Sequence, residues 1–266
     1  AVTDGLTVAG NVSVDGGTIK LDGNFPTGID NVALGNSTLN GSITGAGNIA
    51  IGDSVLSSAT SGSNAVAIGR DSMADGVYTG GDAIAIGRGT LRANTGSNNV
   101  AIGGLALTAN TTAFNNTAVG HEALSANTTG TENVAVGSRS LDANTTGNDN
   151  TSLGYRALGA NTTANNNTAV GSDAMLSNTT GTANAALGAF ALDANTTASN
   201  NTAMGYAALG ENATGSENTA VGALALDNNT TGNSNTAVGA SALGANTTGT
   251  RNHAFGRSAL QNTTTG

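Results

Sequence analysis

Short apolar runs, each closed by a glycine, punctuate this chain with a period of seventeen residues. The closing glycines fall at 35, 52, 69, 87, 103, 120, 137, 154, 171, 188, 205, 222, 239 and 256, and from Gly103 onward the interval never changes. The residue before the glycine is bulky and apolar in every copy, as at Ile102, Val119, Val136, Leu153 and Val170. Four residues after it stands Leu or Met, as at Leu107, Leu124, Leu141 and Leu158. Runs this short cannot sustain a helix, and a fixed short period marks an array whose units bury their apolar sides only against one another. The pattern predicts an all-β fold, a parallel β-solenoid of about 14 coils. Each coil would hold a strand ending at the glycine, a turn, a second short strand carrying the leucine, and an Asn-Thr-Thr-Gly turn back. Stacked about 4.8 Å apart, such coils form a rod roughly 65 Å long.

Two residues before the glycine stands Ala in thirteen copies and Ser152 in the other. Alternate strand residues face opposite ways. If Ile102, Val119, Val136, Leu153 and Val170 join the leucines as a core ladder, the alanine column faces outward. That column includes Ala101, Ala118, Ala135, Ala169, Ala186, Ala203, Ala220 and Ala237. A strand apolar on both faces is buried on both, so the alanines are expected to line the axis of a homotrimer of parallel chains closed by cyclic symmetry. Glutamates at Ala169 and Ala186 would then split the assembly, while Arg156→Glu would not. The competing reading makes alanine a small filler on a monomer's outer sheet.

Residues 1–30 stand apart from the array at 31–266. Alternating residues from Leu6 to Val14 and from Thr18 to Leu21, around Asp15-Gly16-Gly17, predict an N-terminal β-hairpin or connector module. Pro26, the only proline, marks the passage into the array. One extra residue between Gly69 and Gly87, and one missing before Gly103, fall in loops, where length changes leave strand register intact. A start without Met and an end inside a coil's loop point to a segment of a longer fibre chain.

Asn recurs four before and seven after the glycine. These positions suit turns, and stacked asparagines can form amide ladders. Many lie in Asn-x-Thr sequons such as Asn127-Thr-Thr129, which the turn chemistry explains without glycosylation.

Charge narrows the function classes. A net charge of -9 with eight scattered basic residues offers no stripe for phosphates, so no nucleic-acid partner is expected, and no polybasic patch or apolar span suggests membrane insertion. With no Cys, disulfides and thiolate metal sites are excluded. The two histidines, His121 and His253, occupy different phases of the repeat many coils apart, and no nucleophile set, phosphate loop or regular Asp ladder appears. The sequence therefore predicts no enzyme, no metal and no cofactor.

The phrases Asn99-Val-Ala-Ile-Gly103 and Asn133-Val-Ala-Val-Gly137 resemble the head repeats of YadA-like trimeric adhesins. The longer phrases from Asn218 to Gly232 and from Asn235 to Gly249 are similar to shaft repeats of phage tail fibres. This resemblance covers about residues 31–266. It implies a left-handed β-roll assembled in threes, serving as an extracellular structural or adhesive shaft on a virion tail fibre or bacterial cell surface. Such a shaft projects a receptor-binding tip, so a host- or cell-surface receptor would be met by parts outside this segment. The alternative is a binding module whose solenoid face itself recognises glycan or ice. Tyr155, Tyr206 and Phe190, with Phe114 and Tyr78, are the aromatic candidates for sugar contact. The column Thr129, Thr146, Thr163 and Thr180 is the candidate for ordering water.

Overall fold

A computed structural model describes residues 23–25, 28–39 and 43–265. The expected hairpin over 6–21 and Pro26 lie outside them. The described residues form a parallel β-solenoid. β1 (Gly23–Phe25) pairs antiparallel with β2 (Gly28–Leu34), and β2 starts a parallel sheet continued by three-residue strands from β3 (Ile49–Ile51) to β15 (His253–Phe255), each beside its sequence neighbours. Equal positions pair throughout, Ala101 with Ala118 and Thr219 with Thr236 among them. The longer and shorter coils keep this register, since Ala67 pairs with Ala85 and Ala85 with Ala101.

Each short strand has a single inward slot, at its middle. Ala118, Ala135 and Ala169 fill that slot and are wholly buried. The residues on either side, such as Val134 and Val136, face out. The interior of a coil is therefore thin: Ala118, Ala123 and Leu124, flanked by Asn116 and Asn127, are all at 0% exposure.

The expected second strand is absent, although its leucine is buried as a core residue should be. Residues after the glycine form successive turns, with left-handed backbone at Glu122 (φ 58) and Leu124 (φ 51), and the same alternation recurs at Arg139 and Leu141 and at Arg156 and Leu158. The reason is that Ala123 and Leu124, adjacent in sequence, must both enter the coil. A strand would send them to opposite faces. A left-handed leucine costs about 1–2 kcal/mol, which burial of its side chain, about 1.5–3 kcal/mol, offsets. The turn backbone still joins the stack, as Leu124 donates its N–H to the Ser140 carbonyl at 3.0 Å.

Polar ladders close the other two sides. Four before the glycine, the Asn133 Nδ2 donates to the Gly147 carbonyl (2.9 Å), while its Oδ1 accepts the Asn150 backbone N–H (3.0 Å). Seven after it, the Asn144 Nδ2 donates to the Asn127 Oδ1 (2.8 Å) and to the same Gly147 carbonyl (3.0 Å), and the Asn144 Oδ1 accepts from the Asn161 Nδ2 (2.9 Å). Each coil's buried amide thus satisfies the next, as buried polar groups must be. The sequon residue Asn127 is fully buried and gives its amide group to Asn110 and Gly130.

Before Asn94 the second ladder has no asparagines, and Tyr78, fully buried against Gly62, fills the interior there. This corrects the expectation that Tyr78 is an exposed sugar contact. In the one coil with Ser152 in the alanine slot, Ser140 provides its partner: the Ser140 Oγ donates to the Ser152 Oγ at 2.6 Å, and the latter donates to the Ala157 carbonyl at 2.7 Å.

Asn144→Ala is expected to destabilise the rod by about 2–4 kcal/mol, since it opens a cavity and strips partners from the Asn127 Oδ1 and the Asn161 Nδ2. Amide exchange should accelerate in the coils bearing Asn127 and Asn161 first. Unchanged protection there would show that the ladder carries no stability.

Candidate functional site

The strand face places its alanines inside and its bulky residues outside, the reverse of the sequence expectation. Ala101, Ala118, Ala135, Ala169, Ala186, Ala203, Ala220 and Ala237 have at most 1% exposure within a single chain, so they cannot line an axis shared between chains. Of the expected core ladder, Leu107, Leu124, Leu141 and Leu158 lie inside, whereas Ile102 (38% exposed) and Leu153 (46%) are on the surface and Val119, Val136 and Val170 are half-buried there. A three-residue strand with an inward middle must turn both flanking side chains out.

Two parallel columns result on this face. Next to the glycine runs Ile68, Ile86, Ile102, Val119, Val136 and onward to Phe255. Two residues earlier runs a column that is Val or Ile at Ile49, Val66, Ile84 and Val100 and mostly Thr from Thr151 onward. Where Ala185 interrupts the second column, an apolar depression of about 350 Å³ opens between Thr168, Val170, Leu187, Thr202 and Met204.

The corner just past the glycine carries a second feature. Residues one and two after it, the buried Gly89 apart, are exposed or half-exposed and form a strip along the stack. Arg139 gives its Nε to the Glu122 Oε2 at 2.8 Å. The Arg156 guanidinium lies 5.9 Å from the Tyr155 ring centre and 3.5 Å, through Nη1, from the Asp173 Oδ1. Phe190 and Tyr206 meet edge to face at 5.9 Å. Of the five aromatic candidates, Tyr155, Phe190, Tyr206 and Phe114 are at the surface, and the strip places Phe190 and Tyr206 together and Tyr155 against Arg156. Exposed ion pairs of this kind stabilise by about 0–1 kcal/mol.

Five residues after the glycine, a third column mixes Asp142, Asp193 and Asp227 with Gly159, Gly210 and Gly244. Missing side chains leave hollows there, of about 500 Å³ at Gly159 and about 230 Å³ at Gly244. Partial burial raises the carboxyls of Asp142, Asp193 and Asp227 above the usual Asp value, and for Asp193 and Asp227 the Glu211 charge adds to it. A carboxyl whose folded pKa is raised destabilises the fold once ionised, and that penalty lifts as pH falls through the raised value. Melting should therefore not fall between neutral pH and about pH 4 on account of these groups. Asp193→Asn with Asp227→Asn should raise the melting temperature at pH 7 by only about 1–2 °C, because solvent screens half-exposed carboxyls. At about pH 3, below the usual Asp value, the pair should change nothing, and an equal gain at both pH values would refute the assignment.

Among the described residues no group of three or more His, Cys, Asp or Glu could hold a metal, and no helix is long and apolar enough to cross a membrane. His121 sits 3.7 Å from Glu122 at the corner, and His253 opens β15, many coils away. The Thr129 column is exposed beside a turn, whereas the threonines of the strand face lie on the sheet. No family model matches the chain, and no curated protein matches it in sequence.

Proposed function

We propose that this chain is the shaft of an extracellular fibre, in which three parallel copies meet through the strand face and hold a receptor-binding part away from a virion or bacterial surface. One observation carries the reading: an outward apolar ladder that runs the length of the stack. The ladder next to the glycine is roughly 65 Å long at one coil per about 4.8 Å, whereas a compact patch of the roughly 300–600 Å² that is the largest on a typical monomer is only about 25 Å across. Association would bury Ile102, Leu153, Leu187 and Met204, each now at least 38% exposed.

Parallel copies in the same register bring equal residues to equal heights, so a closed cyclic arrangement uses every coil alike. The shape suits a mechanical task. Each coil bonds to its neighbours through backbone and amide ladders, so bending or cutting the rod requires breaking several such bonds at once.

Light scattering on the purified chain tests this. A mass of three chains, unchanged on dilution, is expected; a stable monomer would refute it. That second outcome would favour the other reading, an ice-binding face, because Thr168, Thr202, Thr219 and Thr236 stand in a column on the outward sheet beside the apolar one. An ice-recrystallisation assay on the same sample separates the two.

A further inference from the structure

The hollow at Gly159 has features that neither a shaft nor a strand-face interface requires. It lies past the corner, away from the strand face. Its floor is Gly159 and Ala160, one wall is Leu176 and Ser177 of the following coil, and Arg139, Asp142 and Arg156 complete the lining. At about 500 Å³ it falls within the roughly 300–1,000 Å³ of small-molecule sites.

The two arginines sit two residues after the glycine in consecutive coils, about 4.8 Å apart along the stack. Each is held from outside the hollow: Arg139 by Glu122 through Nε, and Arg156 by the Tyr155 ring and, beyond hydrogen-bond length, by Asp173. A guanidinium has five N–H donors, so both retain donors for a ligand. Asp142 supplies carboxylate acceptors, and Leu176 an apolar wall.

Charge decides what class of ligand fits. Glu122, Asp142 and Asp173 balance Arg139 and Arg156 to within one unit, so neither an anion nor a cation is drawn by net charge. The hollow instead presents charged donors and acceptors side by side with an apolar surface, which matches a ring bearing adjacent hydroxyls on its rim and C–H groups on its face. A hydroxyl can donate to the carboxylate and accept from the guanidinium at once. We propose that the Gly159 hollow binds a neutral hexopyranose unit of a polysaccharide, with Arg139, Arg156 and Asp142 on its hydroxyls and Leu176 against its ring face. The hollow at Gly244, lined by Asp227, Asn228 and Gln261 and with no cation, lacks the charged donors and serves as the control.

The test is saturation-transfer NMR on the full chain, titrated with neutral glucose-, galactose- and mannose-containing oligosaccharides and with uronic-acid oligosaccharides. Saturation by at least one neutral oligosaccharide in the millimolar range, about -4 kcal/mol, is expected. Gly159→Leu fills the hollow and should weaken binding at least tenfold. Leu176 already occupies the same slot one coil on, and the nearest side chain the new Cβ meets is the end of Leu176, at 3.1 Å. Arg156→Gln, on the exposed strip, should weaken binding similarly without touching the core. Gly244→Leu should leave binding intact. Response to uronic acids alone, no response to any neutral sugar, or binding unaltered by both Gly159→Leu and Arg156→Gln would overturn the proposal. Light scattering on the same samples reads the assembly separately, so failure of sugar binding and failure of trimerisation are distinguishable.

Discussion

Val170→Glu combined with Val221→Glu is expected to turn the assembly into monomers that keep their fold. Both valines end a strand, β10 (Thr168–Val170) and β13 (Thr219–Val221), and both are half-exposed on the outward face of a single chain. In one chain the glutamates simply meet water. In a parallel assembly, equal residues converge at one height, so each position would gather one carboxylate per chain in an apolar contact. Burying an unpaired charge costs several kcal/mol, and two such layers should weaken association by more than a thousandfold, about 4 kcal/mol. Light scattering should report one chain's mass while circular dichroism retains the β signal. Ala169→Glu, between the outward Thr168 and Val170, should do the opposite: its side chain would enter the coil, where Ala169, Ala174 and Met175 are at 0% exposure, and the fold itself should fail. An assembly of unchanged mass with both valines replaced would remove the strand face from consideration as an interface.

That contrast also shows what the sequence made legible. Period, the position of the strand that ends at the glycine, and in-register stacking follow from the seventeen-residue pattern, because parallel pairing of equal residues is what a strict repeat demands. The amide ladders were readable too, since asparagine at a fixed phase has few other uses in a buried stack. Size as the sign of burial inverts the inside and outside of this strand. Parity holds the correct clue: Asn116 and Ala118 are two apart, so an inward amide ladder at Asn116 requires an inward Ala118 and an outward Val119. Bulk is placed outside because a thin coil already filled by Leu124 and two amides has room only for a methyl group. The left-handed leucines were not legible, since no sequence rule expects Leu124 at φ 51; only the need to bury Ala123 beside it explains that backbone. Nor does a glycine at 159 announce a hollow until Arg139 and Arg156 are seen beside it.

Gly103→Ala and Gly104→Ala are neighbouring substitutions with opposite expected results. Gly103 has φ +120, and a Cβ there would lie 2.6 Å from the carbonyl carbon and oxygen of Gly120 in the next coil. Those atoms are backbone, and Gly120 is itself fixed by its N–H bond to the Ile102 carbonyl at 2.8 Å, so neither side can yield without opening the ladder. A cost of about 3–5 kcal/mol follows from the clash together with the left-handed strain. In a one-dimensional stack the damage uncouples the coils on either side, so melting should broaden or divide into two transitions. A Cβ at Gly104 meets only the His121 ring edge at 3.6 Å, an ordinary contact. Gly104→Ala should therefore be neutral or stabilise by about 0.4–1 kcal/mol through the unfolded chain. Equal melting curves for the two variants would mean that coils are not packed backbone to backbone at the glycine, and the explanation for its place in every repeat would fail with them.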